Sequence, residues 1–245
     1  LFPLLHINTG YKFKEMIDFR DKFIKKIGAQ LIVYKNEEER AKAFPPEEAH
    51  TDNYIYYKKT KPLLESIKKY NFDVAVGGAR REEEKARAKE RIFSFRNKEG
   101  VWDPKGQRPE LWDVYNCRIN NGETMRVFPL SNWTEVDIWR YIKKENIEIV
   151  PLYFAKKRKV VKRNGIYLRI DEFVQPQPNE EVIELECRYR TLGCSPSTGA
   201  VPSKAKTVDD IIDEVLSAKK SERETRAIDS VSSSAMEDKK KEGYF

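Results

Sequence analysis

The residues best suited to chemistry stand in the range 77–81, Gly-Gly-Ala-Arg-Arg, directly after a β-type run. Gly77 and Gly78 let a backbone approach a ligand closely because they carry no side chain. Arg80 and Arg81 supply guanidinium groups, whose geometry matches phosphate or sulfate oxygens. A helix beginning near residue 82 would add free N–H groups to such an anion site. A tight turn before a solvated, charged helix explains the same residues equally well.

Two further stretches could contribute to the same chemistry. The range 129–139 carries Thr134 and Asp137 at the spacing of a capping box, which predicts the first turn of a helix. By itself this range is typical of a capped helix with buried tryptophans. In the range 188–196, Arg188 and Arg190 precede a turn at Gly193, and these basic residues could bind an anion. Its Cys194 has no histidine nearby in the sequence, so a small buried side chain is a more usual interpretation than a nucleophile.

Strands and helices alternate along the first 150 residues. The pattern predicts strands at 3–7, 31–34, 73–76 and 126–128, and helices over about 13–27 and 51–70, from 82 and from 134. This alternation implies an α/β fold with a mostly parallel sheet flanked by helices. Ligands of such sheets bind beyond the carboxyl ends of the strands, so the turns after residues 7, 76 and 128 should share one edge. After residue 151 the pattern weakens to a basic stretch and one helix at 207–216.

Composition limits the classes of partner and cofactor. The 47 Lys and Arg against 40 Asp and Glu give a net charge of +7, but no basic stripe carries interleaved aromatics, so no nucleic-acid partner is predicted. No apolar run approaches the length of a membrane span, and no membrane association is predicted. Three cysteines favour a reducing cytoplasm over a disulfide framework. With two histidines we predict no protein metal site, although Mg²⁺ held by carboxylates and a substrate phosphate stays open.

Together these stretches resemble the small subunit of the bacterial heterodimeric sulfate adenylyltransferase, a relative of the adenylylsulfate and phosphoadenylylsulfate reductases. The most specific blocks are Gly77 to Arg96, Trp102 to Pro104, Gln107 to Trp112, Phe128 to Trp139 and Arg190 to Cys194. The resemblance implies an adenine nucleotide alpha hydrolase-like fold. It also extends over the polar last 30 residues, whose composition alone predicts a disordered tail. The resemblance implies instead that this tail docks near the site or against a partner subunit.

The resemblance further implies that ATP and sulfate react to adenylylsulfate and pyrophosphate, with a sulfate oxygen attacking the α-phosphorus. Positioning and electrostatics would supply most of the catalysis, and no covalent nucleophile is needed. The candidate catalytic residues are Arg80, Arg81, Lys85 and Arg91. The candidate nucleotide-binding residues are His6, Thr9, Gly10, Gly77, Gly78, Asn132, Trp133 and Thr134. Mg²⁺ would arrive with the ATP phosphates, and the implied partner is a GTP-binding large subunit that couples GTP to this uphill reaction.

The same resemblance suggests a nucleotide-binding α/β domain at 1–150 and a C-terminal extension at 151–245, whose helix and tail pack on that domain or on the partner. The family's pyrophosphate loop, of Ser-x-Gly-Lys-Asp-Ser type, belongs to a strand ahead of Phe2 to His6. Nothing after Leu1 replaces this loop, so we expect a chain that begins at Leu1 to bind ATP poorly and to be inactive, and an upstream extension to restore both properties. Asn8 stands where the family usually has Asp, which removes one carboxylate.

Two other functions stay open at the level of the sequence. A sulfonucleotide reductase shares the fold but requires thiol or iron–sulfur chemistry, and its C-terminal cysteine and paired cysteines are absent from this sequence. A catalytically inactive nucleotide-binding subunit would keep the fold without turnover. Pyrophosphate release in the presence of the partner subunit separates the enzyme from the inactive subunit.

Overall fold

The computed structural model describes residues 2–218 and Gly243, apart from the side chains of residues 85, 86 and 113. Residues 219–242, 244 and 245 of the polar tail fall outside these residues, so both expectations for the tail stay predictions. Gly243 is buried beside Leu64, where an added Cβ would lie 2.8 Å from Cδ1 of that leucine.

Short strands and helices alternate in the first part of the chain, and antiparallel strands dominate the second. The strands are β1 Leu4–Ile7, β2 Leu31–Tyr34, β3 Val74–Val76, β4 Phe93–Arg96, β5 Thr124–Val127, β6 Lys156–Arg163, β7 Ile166–Arg169, β8 Ile183–Arg188 and β9 Val201–Pro202. The α-helices are α1 Lys14–Ile27, α2 Glu39–Lys42, α3 Asp52–Ile55, α4 Lys61–Lys69, α5 Glu135–Lys144 and α6 Val208–Ser217. A π-helix at Tyr56–Thr60 joins α3 to α4.

Local signals define several of these elements. Gly28 ends α1 in the left-handed conformation, with φ +64°, and its N–H bonds the carbonyl of Ile24. Thr134 begins α5 through the predicted capping box, because its Oγ1 accepts from the Asp137 N–H at 3.1 Å while Asp137 Oδ2 accepts from the Thr134 N–H at 2.9 Å. The predicted strands at 3–7, 31–34, 73–76 and 126–128 correspond to β1, β2, β3 and β5.

The strands form three sheets. β1 and β2 pair in parallel, with Leu4 opposite Leu31. β5 lies between β3, to which it is parallel, and β4, to which it is antiparallel. The third sheet has the order β7-β6-β8-β9 and is antiparallel. The α/β class is therefore as predicted, but among the described residues β1–β2 and β3–β5–β4 are separate sheets rather than one.

The predicted charged helix from residue 82 is wrong. The chain makes short 3-10 turns at Arg81–Glu83 and Lys85–Lys89 and then enters β4. Glu84 is extended, with φ −161° and ψ 144°, which interrupts any helix at that point. Glu110 accepts hydrogen bonds from the N–H groups of Ile92 and Phe93 at 3.0 and 2.8 Å. These contacts from later in the chain outweigh the local helix propensity.

The antiparallel sheet of the second half was missed because β6 carries few apolar residues. Only Val160 and Val161 of this strand are fully buried. Lys157 and Lys159 of β6 lie opposite Glu186 and Glu184 of β8, and Lys157 Nζ lies 3.4 Å from Glu184 Oε1. Cross-strand pairs of opposite charge therefore support a strand that hydrophobic periodicity does not reveal. The predicted helix at 207–216 is confirmed as α6.

Two core clusters contain residues from before and after residue 150. One joins Phe13 to Leu152 and Tyr189, and another joins Trp139 to Ile211. The division at residue 150 into two domains stays a prediction. None of the helices in the described ranges is long and apolar enough to cross a bilayer.

Candidate functional site

A groove of about 720 Å³ lies between β1 and β3. Each of these strands pairs with a neighbour on one edge only, β1 with β2 and β3 with β5, among the residues that the structure describes. The walls of the groove are apolar and include Leu5, Ile7, Val74 and Val76. Polar and basic residues line the same groove and include Thr9, Lys12, Lys59, Gly77 and Arg87. Lys12 follows β1 in the chain and Gly77 follows β3, so part of this lining lies where the two strands end, which is where ligands of α/β sheets bind.

The turn after β1 is held tightly. Asn8 Oδ1 accepts a hydrogen bond from the Gly10 N–H at 2.9 Å, so the amide closes the turn without a carboxylate. Gly10 has φ +91°, a conformation that side chains rarely adopt. The Tyr54 hydroxyl donates to the Thr9 carbonyl at 3.0 Å. The predicted residues Thr9 and Gly10 are therefore placed rigidly at the carboxyl end of β1.

The Cys194 thiol lies buried against this turn. Its Sγ is 3.2 Å from Thr9 Oγ1 and 3.5 Å from the Tyr54 hydroxyl. Burial opposes ionisation of the thiol, but Lys12, Lys59 and these hydrogen bonds outweigh it and lower its pKa to about 7. The local potential at the turn is therefore positive. An isolated backbone bridge between Lys12 and Cys194 joins the turn to the third candidate stretch.

Arg80 connects all three stretches that the sequence singled out. Its Nη1 donates to Glu82 Oε2 at 3.0 Å and to the Trp133 carbonyl at 3.2 Å. Glu82 Oε2 also accepts from the Glu135 N–H at the start of α5. Glu135 Oε2 in turn lies 2.6 Å from Arg190 Nη2, and both side chains are nearly buried. These three stretches are thus joined by ion pairs and by hydrogen bonds to main-chain groups.

Arg81 is engaged within the protein as well. Its Nη1 donates to Asn132 Oδ1 at 2.5 Å, and its Nε and Nη2 donate to the Glu90 carbonyl at 3.2 and 3.1 Å. Nη2 also lies 3.8 Å from Glu110 Oε2. This arginine therefore holds the loop after β3 against the start of α5. A direct contact of Arg80 or Arg81 with substrate stays a prediction.

The other predicted basic residues are Lys85, which begins the second 3-10 turn after β3, and Arg91, which follows that turn. Arg91 is half-buried, and its Nε has no hydrogen-bond partner among the described residues. Lys85 lies in the second turn, and its side chain is outside the described part of the chain. Arg87, which was not among the candidates, lines the groove and pairs with Glu83 at 3.5 Å.

His6 and the glycines are placed as follows. His6 lies within β1, where burial, aided by Arg20 and Lys12, lowers its pKa to about 4. Its neighbours Leu5 and Ile7 line the groove, whereas His6 does not. The Gly77 N–H donates to the Val127 carbonyl at 2.9 Å, which continues the β3–β5 ladder into the turn. Gly78 has open space where a Cβ would stand.

The predicted residues at the start of α5 lie beside the arginine network. Asn132 and Trp133 accept from Arg81 and Arg80, through a side-chain and a main-chain oxygen respectively. The Trp133 ring packs edge-on against Tyr141. Thr134 caps the helix and is exposed. None of these three lines the groove between β1 and β3.

Sequence reasoning missed Lys12 and Lys59. Lys12 follows the Thr9–Gly10 turn directly, so its place after a predicted strand end was a usable signal. Lys59 is distant in the sequence and reaches the groove only through the π-helix, for which the sequence carried no signal. No group of three or more His, Cys, Asp or Glu side chains that could hold a metal ion occurs in the described ranges.

Comparison with known proteins shows the family to which this chain belongs. The phosphoadenosine phosphosulfate reductase domain matches residues 2–200. Sulfate adenylyltransferase subunit 2 of Marinomonas sp. (strain MWYL1) is 54% identical over 245 residues, which are 100% of this chain and 81% of that protein. The protein of the same name from Aliivibrio fischeri (strain MJ11) is 55% identical with the same coverage. This chain belongs to the sulfate adenylyltransferase subunit 2 family.

Membership of the sulfate adenylyltransferase subunit 2 family confirms the resemblance and favours it over the reductase alternative. The phosphoadenylyl-sulfate reductase of Candida auris, solved as a phosphate complex, is 17% identical and aligns with 62% of this chain and 66% of its own, with a TM-score of 0.42.

Proposed function

We propose that the chain transfers the adenylyl group of ATP to sulfate, with release of pyrophosphate. The observation that carries the proposal is that Thr9, Lys12, Lys59, Gly77 and Arg87 line one groove. Two polyanions must approach each other in this reaction, so the site needs concentrated positive charge and backbone groups that allow close approach. The family name supports the same reaction.

In this reaction the protein mainly positions the two substrates and neutralises their charge. A sulfate oxygen forms a bond to the α-phosphorus while the bond from that phosphorus to the bridging oxygen breaks, and pyrophosphate leaves with the electron pair. Fixed cations that neutralise the growing charge on the phosphoryl oxygens lower the barrier. Mg²⁺ would enter with the ATP phosphates and neutralise the leaving pyrophosphate. Arg80 and Arg81 would keep the loop after β3 in place and would contact the anions directly.

A partner subunit belongs to the proposal, since the relatives are called subunit 2. We propose that this partner is a GTP-binding large subunit and that the reaction takes place in the cytoplasm. The anhydride between phosphate and sulfate is a high-energy bond, so synthesis needs a coupled source of free energy.

Reconstitution tests the proposed function. The purified chain, extended upstream by a strand and a loop of Ser-x-Gly-Lys-Asp-Ser type and combined with its GTP-binding partner, is expected to release pyrophosphate only when ATP and sulfate are both present. Arg87→Met should lower this rate at least tenfold, since one charge-assisted contact contributes about 1.5–3 kcal/mol and 1.4 kcal/mol is about tenfold. Lys25→Met, which removes the same charge from an exposed position of α1, should leave the rate unchanged. Absence of sulfate-dependent pyrophosphate release would favour the inactive nucleotide-binding subunit.

A further inference from the structure

The turn after β1 is joined to the segment around Cys194 by main-chain and side-chain contacts. The Ser195 N–H donates to the Tyr11 carbonyl at 2.8 Å, and Lys12 and Cys194 form an antiparallel bridge. Cys194 is fully buried, and its Sγ lies 3.2 Å from Thr9 Oγ1. Thr9 and Lys12 both line the groove between β1 and β3, whereas Cys194 does not. Cys194 therefore contacts two groove residues from behind the groove wall.

Three side chains at this junction can share their protons in a closed ring of hydrogen bonds. The Tyr54 hydroxyl donates to the Thr9 carbonyl at 3.0 Å, so its only proton is used there. At the 3.5 Å contact between Cys194 Sγ and the Tyr54 oxygen, the thiol must then be the donor. The sulfur is left to accept from the Thr9 hydroxyl. Two of the three bonds in this hydrogen-bond ring fix Thr9.

Ionisation of the thiol would open the hydrogen-bond ring. A thiolate has no proton to donate to Tyr54, and it attracts the hydroxyl proton that bonds the Thr9 carbonyl. Burial opposes this ionisation, but Lys12, Lys59 and the hydrogen bonds outweigh it and lower the pKa of Cys194 to about 7. A thiolate would therefore neutralise part of the positive charge that Lys12 and Lys59 bring to the groove.

The titratable groups around the sulfur come from two parts of the chain. The turn after β1, α3 and the π-helix contribute Tyr11, Lys12, Tyr54, Lys58 and Lys59. Three of these five groups are cations, so the surroundings favour a negative charge at this place. An anion bound in the groove would compete with the thiolate for that charge.

We propose that Cys194 is a positioning residue for ATP and that only its thiol form holds Thr9 and Lys12 in the arrangement that binds the phosphates. This inference rests on the proposed function, because it takes the phosphates of ATP as the anion in the groove. Cys194 touches no substrate and acts through the turn. Since bound phosphate and thiolate oppose each other, ATP binds the thiol form more tightly, and its affinity falls as the pH rises through about 7.

Two substitutions separate the hydrogen bonds of Cys194 from its charge. Cys194→Ala removes the hydrogen-bond ring, whereas Cys194→Ser keeps a donor and an acceptor and does not ionise near neutral pH. The upstream-extended chain, in complex with its partner subunit, is titrated with ATP and Mg²⁺ in a calorimeter at about pH 6 and about pH 8. At the lower pH, Cys194→Ala should bind ATP at least about fivefold more weakly than the parent, and Cys194→Ser within about twofold. Between the two pH values the parent should lose at least about threefold more affinity than Cys194→Ser does.

Cys187→Ser is the matched control. Cys187 is also fully buried, burial raises the pKa of its thiol, and it does not line the groove. This substitution should leave the ATP affinity and its pH dependence as in the parent, even where it lowers the melting temperature. A loss of ATP affinity in Cys187→Ser as large as in Cys194→Ala would overturn the inference, because general loosening of the core would then explain both.

The remaining outcomes separate this inference from the proposed function. ATP affinity of folded Cys194→Ala within about twofold of the parent overturns the inference, and so does the same pH dependence in the parent and in Cys194→Ser. If Cys194→Ala does not fold, judged by circular dichroism, the pH dependence of Cys194→Ser decides. A parent complex that binds ATP with the expected pH dependence but releases no pyrophosphate with sulfate refutes the proposed function and leaves the role of Cys194 standing.

Discussion

Replacing Glu135 with Gln removes one charge from the buried pair that ties α5 to Arg190. The side chains of Glu135 and Arg190 are 10% and 12% exposed, and Nη2 lies 2.6 Å from Oε2. The Glu135 N–H is also held by Glu82, so the same residue links the turn after β3 to the stretch around Arg190. The substitution keeps the shape of the side chain and changes only its charge.

The magnitude follows from burial. Removal of one partner from a buried ion pair costs about 3–5 kcal/mol, because the remaining charge loses its compensation. Glutamine can still accept one hydrogen bond, so we expect the lower end, about 3 kcal/mol. In a chain of this size 1 kcal/mol shifts the melting temperature by about 2–4 °C, and Glu135→Gln should therefore melt about 6–12 °C lower.

Thermal melting and guanidinium titration measure this change, with Asp18→Asn as the control. Asp18 pairs with Lys14 at 2.5 Å, but these side chains are 58% and 78% exposed, so the solvent screens the pair and the melting temperature should stay the same. The double variant Glu135→Gln with Arg190→Met should lose less stability than the sum of its single variants. A melting temperature of Glu135→Gln within about 2 °C of the parent, which corresponds to a loss of about 1 kcal/mol or less, would refute the reasoning.

Four further predictions concern activity, pH and assembly. Arg81→Ala should lower adenylylsulfate formation at least tenfold at saturating substrates while the fold persists. Arg81→Lys keeps the charge without the guanidinium fork and tests whether charge or geometry matters. Rates within twofold of the parent for Arg81→Ala would contradict the role of Arg81. The pKa of His6 is lowered from 6.5 to about 4, mainly by burial, so the unfolded chain binds the proton more tightly than the folded chain. The free energy of unfolding should therefore fall as the pH drops from about 6.5 towards 4. His6→Gln should flatten this pH dependence in denaturant titrations. Efficient synthesis should require GTP and the partner subunit, and efficient synthesis by the complete small subunit alone would exclude the coupling. Because the open edges of β1 and β3 line one apolar groove, an added upstream strand carrying a loop of Ser-x-Gly-Lys-Asp-Ser type should tighten ATP binding at least tenfold in titration calorimetry, and unchanged affinity would contradict this.

The sequence by itself determined the features that depend on neighbours in the chain. The end of α1 at Gly28 follows from a residue that adopts positive φ without cost, and the start of α5 follows from the hydroxyl and carboxylate of Thr134 and Asp137. The apolar runs that end at residues 7 and 76 predicted the ends of β1 and β3. The blocks between Gly77 and Cys194 predicted the family. Each of these signals acts over a few residues, so no tertiary contact is needed to read it.

The tertiary structure decided what depends on distant residues. Glu110 takes the N–H groups of Ile92 and Phe93, which places β4 where the local pattern predicts a helix. β6 pairs with β8, where glutamates face its lysines, and it buries Val160 and Val161, contacts that only the folded chain makes. The π-helix at Tyr56–Thr60 brings Lys58 to the turn after β1, where its Nζ lies 3.7 Å from the place of a Cβ on Gly10. Burial and charge at such places are set by groups far apart in the chain, and these energies appear only once the chain has folded.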